Sequence, residues 1–132
     1  MMEADLFCRA LAEKAHDQID AQLSAWRDGT AFPDGRNAQV AALLDRLSED
    51  EVETVRFMMR QNAASAIFGV LNVLDGTGDI DTLPEGCFRL TFEHWKGAKQ
   101  GQVAELTEDN GDFLHDRFME AHMAALANEG LA

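Results

Sequence analysis

Tyrosine is absent, proline and cysteine occur only twice each, and 11 lysines and arginines face 24 aspartates and glutamates. Each shortage removes a class of protein. Cys8 and Cys87 fit neither a disulfide framework nor a paired metal-ligand spacing, so the thiols are expected to be reduced. A net charge of -13 repels a phosphate backbone, which excludes direct nucleic-acid binding. The longest nearly apolar stretch, Ala63 to Leu74, falls short of the roughly 20 residues a bilayer requires and carries Ser65 and Asn72. No membrane span is expected. No phosphate-binding glycine loop, G-x-S-x-G elbow or Cys-His neighbour pair is present, and no charged segment followed by an apolar run opens the chain. Cytoplasmic localisation without a cofactor is the expectation.

What remains is globular. Hydrophobic residues make up 46% of the 132 and charged residues 27%, enough to bury a real core. The length fits one domain spanning residues 1–132, folding as a monomer or a small homo-oligomer.

Helical periodicity dominates. Leu6, Phe7, Leu11, Ile19, Leu23 and Trp26 predict a helix over 3–27. "DGTAFPDGRN", with two Asp-Gly pairs and a proline, is a loop. Asn37 then reads as the N-cap of a helix over 38–47 carrying Val40, Leu43, Leu44 and Leu47. "SEDEVE" is a capping box from Ser48 and Glu51, opening a helix over 49–74. Its second half, "NAASAIFGVLNVLDG", is apolar or small on every side, which predicts a central buried helix. Gly69, with Ala63, Ser65 and Ala66, would allow close approach of a neighbour, and Asn72 would need buried partners.

After Asp75-Gly76, "DGTGDIDTLPEG" alternates acids in a way that invites a calcium reading. The EF-hand template wants glycine sixth and glutamate twelfth, and Ile80 and Gly86 stand there, so the segment reads as a turn-rich connection. In "CFRLTFEHW" the period becomes two, with Phe88, Leu90 and Phe92 on one face. This strand, over 87–95, pairs with one over 102–107 as a hairpin whose aromatic face should lie on the helices. Trp95 stands near its tip. Cys8 and Cys87 read as small core residues.

The last helix is expected over 111–127, capped by Asn110 or Asp112 and burying Phe113, Leu114, Phe118, Met119 and Ala121. The resulting class is mostly helical α+β, with about four helices, the third central, and one hairpin packed against them. His115 and His122 lie seven residues apart, and Asp112 precedes His115 by three, as Glu13 precedes His16. Carboxylate-x-x-His pairs on two helices occur in di-metal bundles, because that spacing puts both ligands on one face. Glu13, His16, Asp112, His115 and His122 therefore define an alternative, a metal-dependent helical-bundle enzyme. Against it, the second pair carries aspartate and the central helix interior offers only Asn72.

Residues 75–116 hold ten acids and three bases, so the charge is concentrated in the second half. That surplus reads either as a solvated face or as a docking patch for a basic protein. Asp79, Asp81, Glu85, Trp95, Glu105, Glu108 and Asp109 are the candidate contact residues. The order "FGVLNVLDG", "FRLTFEHW", "NGDFLHDRF" over residues 68–118 resembles small uncharacterised bacterial proteins with an "LHD-x-F" ending. The resemblance implies a bacterial accessory protein, of a kind suspected of including immunity proteins to secreted toxins, and carries no catalytic residues over. With the charge asymmetry and the missing catalytic set, it makes a non-enzymatic binding protein the leading expectation.

Overall fold

A computed structural model describes residues 2–31, 34–76, 86–96, 99–107 and 113–130. The elements are α1 (Met2–Asp28), α2 (Gly35–Arg46), α3 (Glu49–Leu74), β1 (Thr91–Lys96), β2 (Lys99–Glu105) and α4 (Leu114–Asn128). This is the mostly helical α+β class with one antiparallel hairpin. The chain divides into two compact units, one of residues 1–12 with 64–132 and the other of residues 13–63, and α1 and α3 each contribute to both.

The continuous unit, 13–63, is built from local instructions. In α1, Ile19 and Leu23 fall four apart and are buried, and with Leu44 of α2 they form a cluster covered by Trp26, Val40, Val55 and Met59. α1 stops where Gly29 takes a φ of 73° and the Thr30 N–H donates to the Ala25 carbonyl at 2.9 Å. The N-cap of α2 is Asp34, not Asn37. Asp34 accepts from the Asn37 N–H at 2.8 Å, which frees the Asn37 amide oxygen for the Trp26 indole N–H, also at 2.8 Å. An aspartate three residues upstream offers the same acceptor with a charge that suits the helix dipole, and α2 accordingly starts earlier than its apolar pattern indicates. The Ser48–Glu51 capping box is formed in both directions, Glu51 N–H to Ser48 Oγ at 3.1 Å and Ser48 N–H to Glu51 Oε1 at 2.9 Å. The Ser48 backbone N–H first, and its hydroxyl second, favour ionised Glu51 and hold its carboxyl below the ordinary value.

α3 supplies buried residues at spacings of eight, four and seven, all close to whole helical turns: Val52, Arg60, Ala64 and Leu71. Its other side, with Met58, Ser65, Ala66, Gly69 and Val70, is exposed, and a Cβ built on Gly69 would meet nothing within 4 Å. Ser65, Ala66 and Gly69 therefore do not serve the close approach expected of them, whereas Ala63 is half-buried against the Ile19, Leu23 and Leu44 cluster. Asn72 is half-buried and has a partner. Arg60 is 2% exposed and places Nη2 at 2.9 and 3.0 Å from the two oxygens of Asp20, which also takes Arg56 Nη1 at 3.0 Å. A guanidinium at this depth is tolerable only with such a partner.

The discontinuous unit gathers Ala4, Cys8 and Ala12 of α1, Ala64 and Leu71 of α3, Leu106, and Leu114 and Phe118 of α4 into one buried cluster. Ala4, Cys8 and Ala12 fall four apart and are small, so bulky Leu114 and Phe118, both fully buried, fill this core. The hairpin pairs Thr91 with Glu105, Phe92 with Ala104 and Glu93 with Val103, with an irregularity between Glu93 and Trp95. Gly101 is required there, since a Cβ would lie 2.8 Å from the His94 carbonyl oxygen. Both strands start and end a few residues away from the limits their alternation indicates.

Only the base of the hairpin is packed as expected. Leu90 is half-buried and Leu106 buried in the core cluster, joined by the Leu106 N–H to Leu90 carbonyl bond at 2.7 Å. Phe88 and Phe92, expected on the same packed face, are 45% and 50% exposed. Alternation fixes which side a residue takes, but how far along the strand the helices reach is a tertiary matter. Cys87 is exposed, so only Cys8 is a core thiol. No helix among the described residues is long and apolar enough to cross a membrane.

Candidate functional site: the Asp75–His115 junction and the hairpin

α4 begins at Leu114, behind Phe113, whose side chain makes no capping bond. The last-helix cap expected from Asn110 or Asp112 falls outside the described residues. The cap that is described comes from forty positions upstream. Asp75, the residue after α3, directs Oδ2 at the His115 backbone N–H (2.9 Å) and at the His115 ring Nδ1 (2.7 Å). Asp75 sits there because α3 closes with its N–H on the Leu71 carbonyl and with Gly76 at a φ of 77°. A carboxylate at the C-terminus of its own helix is unfavourable, and at the N-terminus of the next it is favourable.

The imidazole is fixed on three sides. It stacks on Phe113 (centroids 5.3 Å apart, 16° between planes) and meets Phe68 edge-on (5.1 Å, 88°). Because an ionised carboxylate only accepts, the 2.7 Å contact assigns a proton to Nδ1 and leaves Nε2 facing Asp116 Oδ1 at 3.5 Å. A carboxylate-oriented imidazole is the arrangement a general base requires, but here Nε2 faces a second carboxylate, that of Asp116. Among the described residues the nearby thiol is not available as a nucleophile: Cys8 Sγ donates to the Leu114 carbonyl at 3.4 Å, and burial pushes its thiol up to about 11. Through its two bonds to His115, Asp75 locks the end of α3 to the start of α4. Asp75 is only 1% exposed in its side chain, and its second oxygen, Oδ1, has no hydrogen-bond partner among the described residues. An orphaned buried acceptor costs about 1–3 kcal/mol unless a donor reaches it.

Two surface depressions include residues of this junction in their linings. A cleft of ≈ 170 Å³ is lined by Asp75, Cys87, Phe88, Arg89, Glu105 and Thr107, among others. A second, a groove of ≈ 520 Å³, is lined by Asp5, Arg9, Phe113, Asp116, Arg117 and Glu120, among others. Its walls carry both signs of charge, and Arg117 is ion-paired with Asp5.

Of the expected contact residues, Trp95 is 59% exposed and Glu105 is half-buried, paired with Arg89 at 3.3 Å. Asp79, Asp81, Glu85, Glu108 and Asp109 lie outside the described residues, as does Asp112 of the alternative metal set. His115 of that set has Nδ1 engaged by Asp75, and His122 is buried with its ring parallel to Phe118 (6.3 Å, 9°). Glu13 and His16 belong to the continuous unit, where burial and then Arg60 lower the pKa of His16. Among the described residues no group of three or more His, Cys, Asp or Glu side chains is placed to hold a metal ion. Sequence reasoning passed over Asp75 as one acid in a turn. Its position after the α3 stop was visible, but its partner, forty residues on, was not.

No family model, no characterised protein and no solved structure matches the chain.

Proposed function

We propose that the protein is a non-enzymatic binding module, a bacterial cytoplasmic accessory protein of the immunity type, whose acidic second half and aromatic hairpin engage a basic protein partner. The observation that carries this reading is the hairpin: Phe88, Phe92, Trp95 and Val103 are all 45% exposed or more. Phe92 and Val103 fall on opposite faces of the ribbon by register, so apolar surface is offered on both sides. Exposed aromatics clustered on one element mark interaction surfaces, and tryptophan is among the residues that dominate binding energy. In the sequence the 75–116 segment, which includes the hairpin, carries ten acids against three bases, a balance that favours a basic partner and steers its approach.

The test is kinetic. A partner recovered at low salt from the source organism should associate at a rate that falls steeply as ionic strength rises towards about 0.1 M, where the screening length is about 10 Å. Trp95→Ala should weaken the complex by about 2 kcal/mol or more and leave the melting temperature unchanged. An association rate indifferent to salt, or full affinity in Trp95→Ala, would defeat the reading.

A further inference from the structure

We propose that the cleft where α3 ends beside the hairpin base is a receptor for one arginine side chain presented by a protein partner. The inference rests on the binding role proposed above and gives that partner's contact a chemistry. Its anchor is Asp75. One oxygen of this carboxylate is committed twice to His115, whereas Oδ1 is buried and lacks a hydrogen-bond donor among the described residues, in a side chain only 1% exposed that lines the cleft. Such an acceptor is completed by a donor arriving from the cleft.

A second carboxylate, Glu105, stands in the same lining and is held by Arg89 through long contacts of 3.3 and 3.4 Å, from a side chain 63% exposed. A pair this open to water is weak and exchangeable. Phe88, also in the lining, leaves 45% of its surface exposed and supplies an aromatic face. Two carboxylates and an aromatic ring fit a guanidinium better than an ammonium. It is planar, donates in a fork to more than one carboxylate oxygen, is weakly hydrated and stacks on rings. At ≈ 170 Å³ the space suits a side-chain head group, since sites for whole small-molecule ligands run to about 300–1,000 Å³. Arg89 lies in the lining as an internal competitor, so the guest must displace it from Glu105.

The experiment titrates N-acetyl-arginine methylamide into the isotopically labelled full chain and follows backbone amide signals. N-acetyl-citrulline methylamide, of the same shape without the charge, serves as control. Saturable shifts are expected at Gly76, Phe88, Thr107 and His115, with citrulline binding roughly tenfold more weakly. Phe88→Ala and Glu105→Gln, both at the cleft rim, should each weaken binding several-fold, whereas Arg89→Ala should tighten it by removing the competitor. Asp75→Asn should abolish it, but that variant also touches the α4 cap, and so the rim variants decide. Equal binding of citrulline, shifts scattered over the acidic surface, or rim variants indistinguishable from the parent would overturn the proposal. A salt-steered partner that binds the Phe88 and Glu105 variants with full affinity would remove the cleft and leave the binding role standing. Saturation by the arginine probe without any salt-steered partner would do the reverse.

Discussion

The two compact units solve the same problem, closing helices over a small core, with information drawn from different distances along the chain. In the unit of residues 13–63, each helix start is written beside the helix. Asp34 caps α2 from one position before it, and Ser48 and Glu51 cap α3 within four residues. In the unit of residues 1–12 and 64–132, α4 is capped by Asp75 across forty positions, and its core brings Cys8 against the Leu114 carbonyl across 106. The comparison teaches where folding instructions can be read. Local hydrogen-bond chemistry is legible in a few residues, and cross-chain chemistry is legible only once the chain has closed.

The largest expected effect falls in the discontinuous unit. Phe118 is fully buried among Leu114, Leu106 and the small residues of α1, so Phe118→Ala should lose about 3–5 kcal/mol in denaturant unfolding. Leu44→Ala in the other unit removes a smaller side chain from a cluster of only three buried residues and should lose about 2–5 kcal/mol. If Leu44→Ala proved the costlier of the two, the idea that α4 carries the better-packed core would fail.

The next effect tests the long-range cap. Asp75→Ala removes an acceptor from the His115 N–H and a charged partner from its ring, at about 1–3 kcal/mol. His115→Gln, which a solvent-facing histidine would tolerate, should cost a similar amount here because the ring is buried and bonded. Since each variant breaks the same contact, the double variant should cost clearly less than the sum. Additive losses would mean that the two groups act separately. The local counterpart, Ser48→Ala, should cost about 1 kcal/mol and show no coupling to either.

These pairs also show how much of the molecule was legible. The helix of Glu49–Leu74 and the capping box that opens it follow from residues within a few positions of each other. The hairpin was legible in its alternation, but the exposure of Phe88 and Phe92 was not, because the strand pattern does not say where the helices stop covering it. The site was least legible. Glu13, His16 and His115 stood out by spacing, whereas Asp75 had only a place in an acidic turn, and nothing adjacent in sequence marks it as the partner of His115. Gly69 was misread in the opposite direction. A glycine among alanines suggests close packing, yet its surroundings are open, so Gly69→Ala should stabilise α3 by about 0.4–1 kcal/mol, seen as a higher melting temperature. A loss of stability would restore the close-approach role.

The smallest effect separates the units by proton linkage. His16 is 5% exposed, and burial first and the nearby Arg60 second lower its pKa below the ordinary 6.5, against weaker upward pulls from Asp20 and Asp17. An unfolded chain takes up a proton at this histidine as the pH falls through about 6.5, while the folded chain resists until lower pH. The unfolded state then binds more protons, so stability is lost as pH falls below 6.5 and the loss levels off below the depressed folded value. Glu51 acts in the same direction but in a lower window, because its folded pKa is depressed from 4.5 and its contribution survives until the carboxylate protonates. Melting followed between about pH 7.5 and 5.5 therefore separates His16 from Glu51, since the carboxylate titrates beneath that range. In His16→Gln the fall in melting temperature across this interval should shrink, whereas Glu51→Gln should keep it in full. A His16→Gln profile parallel to that of the parent would move the acid sensitivity out of the Arg60–Asp20 neighbourhood, and the continuous unit would no longer be the pH-sensitive half of the comparison.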